Sequence, residues 1–74
     1  MSKTLETDMD LLAAALSRVQ VTVWQTDIDG VYCEVDRGII DKYSPTSVRL
    51  ISKDSGQPVY YWRDVTMFLI DVSS

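Results

Sequence analysis

A chain of 74 residues and 8.4 kDa holds one domain near the lower size limit for independent folding, because it buries only about 60% of its unfolded surface. A multidomain enzyme is excluded. With 46% hydrophobic and 24% charged residues, and a mean hydropathy of −0.02, the composition fits a compact domain and neither a disordered tail nor a membrane protein. The net charge is −4, and residues 1–30 carry five of the acids against two basic residues.

The first predicted element is a helix over about residues 5–18. Leu5, Met9, Leu12, Leu16 and Val19 recur at spacings of four and three, which predicts one buried stripe. Thr7 followed three residues later by Asp10 forms a capping-box-like start, the acids of the first turn suit the positive end of the helix dipole, and Arg18 suits the last turn. The period then changes. Val19, Val21 and Val23 alternate with Gln20, Thr22 and Trp24, which predicts a strand with one buried face. Asp27-Ile28-Asp29-Gly30 supplies a tight turn into a second strand from Val31 to about Tyr43, paired with the first.

In that second strand Val31, Cys33 and Val35 are expected on the buried side, so Cys33 reads as a small core hydrophobe. Their parity gives way to Ile40 at Gly38, which predicts a bulge or sharp bend there. Ser44-Pro45-Thr46-Ser47 makes the next turn, Val48 to Ser52 a third strand, Lys53 to Pro58 a hairpin loop and Val59 to Arg63 a fourth strand. A short turn at Asp64-Val65-Thr66-Met67 precedes a last strand from Phe68 to Val72. One helix and five short strands, the second bent, predict a single domain over residues 1–74: a mainly β, strongly bent antiparallel barrel over about 19–72 behind an amino-terminal helix.

These residues resemble the Sm-like variant of the SH3-type barrel. Gly38, Ile40, the turn at Ser44 to Ser47 and Val48-Arg49-Leu50 fit the outline of its first motif; Trp62-Arg63-Asp64 and Val65 to Ile70 match part of the second. Arg37-Gly38-Ile39-Ile40-Asp41-Lys42 is similar to the second strand of YolD-like proteins. The acidic helix and Asp64-Val65-Thr66-Met67-Phe68 resemble the Rof proteins, acidic inhibitors that bind the terminator Rho. The likeness implies a small bacterial protein that acts by association, because in Sm-like rings the fourth and fifth strands pair with a neighbouring subunit. It does not carry RNA binding with it. Ser44 and Ser47 stand where Sm proteins place an aspartate and an asparagine on the base, and Arg63-Asp64 replaces an Arg-Gly step.

The residues themselves point the same way. There is no histidine and only one cysteine, so the commonest general base, an intramolecular disulfide and an ordinary zinc site are all missing from the alphabet. No catalytic residue, metal or cofactor is expected, and a reducing cytoplasmic setting is. The apolar run Leu11 to Leu16 is too short to span a membrane and lacks a basic lead.

Tyr60-Tyr61-Trp62 is the informative motif. Strand side chains alternate between faces, so three consecutive aromatics cannot all enter one small core. Some must lie outside, where Tyr, Trp and Arg anchor protein interfaces. The expected interface is Trp24, Tyr60, Tyr61, Trp62, Arg63 and Phe68, with self-association through residues 59–72 as its specific form. Glu6, Asp8, Asp10, Asp27 and Asp29 are the candidate acidic surface for a basic partner protein. The competing reading is a single-stranded RNA module using Arg37, Lys42, Arg49, Lys53 and Arg63. Against it, the cations are scattered beside acids, as in Asp36-Arg37, Asp41-Lys42, Lys53-Asp54 and Arg63-Asp64, with no basic stripe to neutralise phosphates.

Overall fold

The computed structural model describes residues 1–71. In chain order the elements are β1 (Ser2–Thr4), α1 (Asp8–Ser17), β2 (Val21–Thr26), β3 (Tyr32–Tyr43), β4 (Ser47–Ser52), β5 (Pro58–Trp62), a 3₁₀ turn (Arg63–Val65) and β6 (Met67–Asp71). The strands form one antiparallel sheet in the order β1-β6-β2-β3-β4-β5. The protein is therefore mainly β with one amino-terminal helix, as the periodicities predict, but six strands stand where five were expected. The extra strand is β1, whose Ser2-Lys3-Thr4 pairs with Leu69, Ile70 and Asp71. Among the described residues no ladder joins the sheet's two ends, so the structure shows a bent open sheet. The bend brings end strand β5 against β6, the strand next to the other end: the rings of Tyr61 and Phe68 meet edge to face at 6.5 Å. The expected end of the last strand, Val72, lies outside the described residues.

The core contains Leu5, Leu11, Ala14, Val21, Val23, Ile40, Val48, Leu50 and Phe68. The helix start is as read. Thr7 caps it by accepting from the Asp10 N–H at 3.1 Å, while the Asp10 carboxylate accepts from the Thr7 and Glu6 N–H groups at 3.2 and 3.0 Å. Its end differs, for Arg18 is not in the last turn but is the C-cap, in the left-handed region at φ 54°.

The buried stripe of α1 is also not the one predicted. Leu5 is buried ahead of the helix, in extended chain whose N–H donates to the Phe68 carbonyl at 2.8 Å, so it does not share the helical period. With Leu5 delivered by the β1 extension, α1 turns Leu11 and Ala14 inward and leaves Met9, Leu12 and Leu16 outside.

Turn chemistry behaves as expected between β2 and β3. The Asp27 carboxylate accepts from the N–H groups of Asp29 and Val31 at 2.9 and 3.0 Å, and Gly30 sits at φ 81°. Val31, Cys33 and Val35, however, are exposed rather than buried. The reason is strand length. The β4 ladder ends at Ser52 opposite Gly38, so among the described residues the stretch 32–36 of β3 pairs with β2 alone, and Val31, Cys33 and Val35 face solvent there, although β2, flanked by β6 over Val21–Trp24, keeps Val23 buried.

The irregularities flank Gly38 instead of falling on it, with register shifts opposite Val23/Trp24 and between Ile40 and Lys42. Gly38 serves a different need. A Cβ there would stand 2.0 Å from the Ile51 carbonyl oxygen, so the close approach of β3 and β4 at the bend excludes any side chain.

Candidate interaction surface

β5 ends the sheet, and among the described residues it pairs only with β4. Its register aligns Ser47 with Trp62 and Ile51 with Pro58, and the same register continues into two bonds beyond the strand: Arg63 N–H to the Thr46 carbonyl at 2.8 Å and Ser52 N–H to the Gln57 carbonyl at 3.0 Å. In an antiparallel ladder alternate residues face the neighbour. Residues 57, 59, 61 and 63 thus direct their backbone groups to β4, while Pro58, Tyr60 and Trp62 direct theirs to the open side. Pro58, which has no N–H, sits where none is needed for the ladder.

Side chains follow the same alternation. Tyr60 and Trp62 are each 64% exposed, while Val59 and Tyr61 are half-buried. The two residues that turn both an N–H and a carbonyl to the open side are therefore also the two with rings in solvent. Beside Trp62 an apolar groove of about 540 Å³ runs between Pro45, Thr46 and Val65. Tyr60 receives a long hydrogen bond from the Arg49 guanidinium at 3.4 Å, and Arg49 is itself paired with Asp41.

The other predicted interface residues have different places. Phe68 is 3% exposed and belongs to the core. Tyr61 turns inward: its hydroxyl donates to Asp36 at 2.6 Å, and the other Asp36 oxygen accepts from the Ser52 hydroxyl and the Arg37 N–H, both at 2.8 Å. Burial of Asp36 works to raise its pKa, but these donors outweigh it and hold the carboxyl below its usual range. Burial first, and the Asp36 charge with its hydrogen bond second, push the Tyr61 phenol well above its usual value.

Trp24 is half-buried, with its indole N–H on the Thr22 hydroxyl at 2.9 Å; β3 and β4 separate it from β5, so it does not extend the aromatic edge. Arg63 is a clamp. It donates to Asp8 at 2.7 Å and to the Ser44 carbonyl at 2.8 Å, tying the start of α1 to the β3–β4 turn.

Most of the predicted acidic surface is used locally. Asp10 caps α1 and faces Lys3 at 3.5 Å, and the Glu6 and Thr7 N–H groups, helped by Lys3, hold its carboxyl below the usual range. Asp8 meets Arg63, and Asp27 builds its turn. Only Glu6 and Asp29 keep side chains without a bond among the described residues. The cations of the RNA reading are spent in a similar way, with Arg37 on Glu34, Arg49 on Asp41 and Arg63 on Asp8, leaving Lys42 and Lys53 without an ion pair among the described residues.

Sequence reading missed β1, and with it the cover on the last strand. β6 has β2 along one edge and β1 along the other, so it has no edge to offer a neighbouring subunit. Self-association through residues 59–72 in the expected ring form loses half of its surface. No signal in Ser2-Lys3-Thr4 marks this, because the strand is held by backbone pairing and carries no apolar alternation.

No group of three or more His, Cys, Asp or Glu side chains that could hold a metal ion occurs among the described residues, and no helix among them is long and apolar enough to cross a membrane. Comparison with known proteins finds no matching family model, no matching curated protein and no matching solved structure.

Proposed function

We propose that this protein is a non-catalytic interaction module that captures an extended segment of a partner protein as an added strand on β5. The observation that carries the reading is the coincidence, at Tyr60 and Trp62, of unpaired backbone groups with exposed aromatic rings. An added strand would take its main-chain bonds from those two residues and place alternate side chains against the two rings, the division of labour by which sheet edges bind peptides. The groove between Pro45 and Val65 would receive an apolar side chain next to Trp62. A net charge of −4 favours a partner segment with basic residues flanking its apolar ones.

The bent sheet behind a helix, with a long bent β3 and a short 3₁₀ turn before the last strand, supports reading the fold as the Sm-like form of the SH3-type barrel. The single thiol fits a cytoplasmic setting.

The test is selection from a random peptide library, followed by titration of the selected peptide into labelled protein. The reading expects an extended apolar and basic peptide, the largest amide shifts at Tyr60 and Trp62, and at least tenfold weaker binding after Trp62→Ala. A selected peptide that binds the Tyr60→Ala/Trp62→Ala double variant as well as the parent overturns it. So does steeply salt-dependent binding of a single-stranded RNA through Lys42 and Lys53.

A further inference from the structure

Helix α1 turns its least polar side to solvent. At 100° per residue Met9, Leu12, Ala13 and Leu16 share one side, opposite the buried pair Leu11 and Ala14. Met9 is 73% exposed, Leu16 74% and Leu12 39%, and from Leu11 to Ser17 the helix carries no charge. The solvent side of a surface helix is normally its charged side. Beside it lies a groove of about 510 Å³ whose far wall includes Ile39 and Ile51. Arg18, Asp41 and Lys42 also line that groove, so the apolar side of α1 is edged by charge, and nothing among the described residues covers it.

The geometry points to a second copy of this chain as the occupant, with the two α1 helices packed antiparallel about a two-fold axis between Leu12 and Ala13. That axis places Met9 against Leu16 of the partner subunit, large against large at the two ends, and Leu12 against Ala13 of the partner subunit at the centre, where the small side chain lets the helices approach closely. It also sets opposite charges together. Arg18, at the carboxyl end of α1, makes no ion pair among the described residues, while Glu6, Asp8 and Asp10 crowd the amino end. An antiparallel pair brings each Arg18 to the acidic end of the other helix, and the two helix dipoles oppose favourably. A parallel pair would join acid to acid, and an anionic membrane would meet those same acids and a net charge of −4.

A helix of 10 residues is about 15 Å long, so the pair alone falls short of the roughly 800 Å² per partner of a standard interface. The Ile39 and Ile51 wall of the groove widens the contact, and the expected product is a dimer in the micromolar range. This surface is independent of β5, so such a dimer keeps both β5 edges free and presents two equivalent docking strands, which raises avidity for a repeated or dimeric partner.

Sedimentation equilibrium of the full chain, from low micromolar to millimolar concentration, tests the assignment. The mass should rise from 8.4 kDa toward twice that value. Leu16→Glu should weaken association at least tenfold while leaving the circular dichroism spectrum unchanged, since the residue is exposed in the monomer. Arg18→Glu should weaken it as well, and Trp62→Ala should leave it intact. A monomer at every concentration overturns the assignment, as does a dimer that Leu16→Glu spares and Trp62→Ala dissolves. Leu16-dependent binding to phosphatidylserine vesicles by a chain that stays monomeric also overturns it. Peptide titration of the Leu16→Glu variant keeps the two readings separate: loss of the dimer with peptide binding at β5 retained bears on α1 alone, whereas loss of peptide binding with the dimer retained bears on the docking reading alone.

Discussion

Adding one methyl group at Gly38 should cost this protein much of its stability. Gly38 lies at negative φ, where alanine is ordinarily tolerated and even stabilises by about 0.4–1 kcal/mol through the unfolded chain. Here the new Cβ would stand 2.0 Å from the Ile51 carbonyl oxygen and 2.9 Å from its carbonyl carbon, both backbone atoms that no rotamer change can move. Ordinary carbon–oxygen contacts begin near 3.3 Å, so β3 and β4 must part by about 1.3 Å at the bend. Such a shift disrupts the flanking ladder, including the 2.8 Å bond from Lys53 N–H to the Arg37 carbonyl. Two weakened bonds at about 1 kcal/mol each and local overpacking of about 1–3 kcal/mol give a loss of about 3–5 kcal/mol. At about 0.05–0.15 kcal/mol per residue, 74 residues supply only about 4–11 kcal/mol. Thermal denaturation followed by circular dichroism should therefore show Gly38→Ala melting lower by about 12 °C or more, at about 4–8 °C per kcal/mol. A variant that melts at or above the parent temperature would refute the close-approach argument.

Tyr61→Phe removes the hydroxyl bonded to Asp36, a charged hydrogen bond worth about 1.5–3 kcal/mol, and should lower the neutral-pH melting temperature by roughly 6–24 °C. The pH dependence carries the sign. The Tyr61 pKa is raised on folding, so its contribution is complete below the unfolded value of 10.0 and is lost as pH climbs from there toward the folded value. Asp36 is lowered, so its contribution is complete above 3.8 and is lost as pH falls through the folded value. Urea denaturation should show the parent losing stability above pH 10 and the Phe variant losing less; equal alkaline loss in both would contradict the Tyr61–Asp36 assignment. Cys33 should react with a thiol reagent in the native protein at a rate within a few-fold of the denatured chain, without unfolding, and protection until denaturation would place it inside after all.

Local chemistry was legible wherever partners lie close in the chain. Thr7 and Asp10 are three residues apart and form their cap, and Asp27 folds its turn with Gly30. The alternation through Tyr60, Tyr61 and Trp62 puts the middle ring inside and the outer two outside. Legibility stopped where the deciding partner is remote. Val31, Cys33 and Val35 alternate like a buried face, but their exposure depends on where β4 stops. Leu5 shares the helical spacing by number alone, because its place is set by β6 across the sheet. Arg63 reads as an interface cation until Asp8, 55 residues away, engages it. The spacing of Met9, Leu12 and Leu16 reads as a buried stripe, yet these residues face solvent and Leu11 and Ala14 face the sheet, because an apolar period alone does not say which side of a helix the sheet takes.

Amide hydrogen exchange along β5, in dilute protein without a partner, tests the docking account most directly. The account predicts rapid exchange at Tyr60 and Trp62 and slow exchange at Val59, Tyr61 and Arg63, with Tyr60 and Trp62 becoming protected only when a peptide binds. Uniform protection along β5 in the isolated monomer would contradict it, because no free strand edge would then exist.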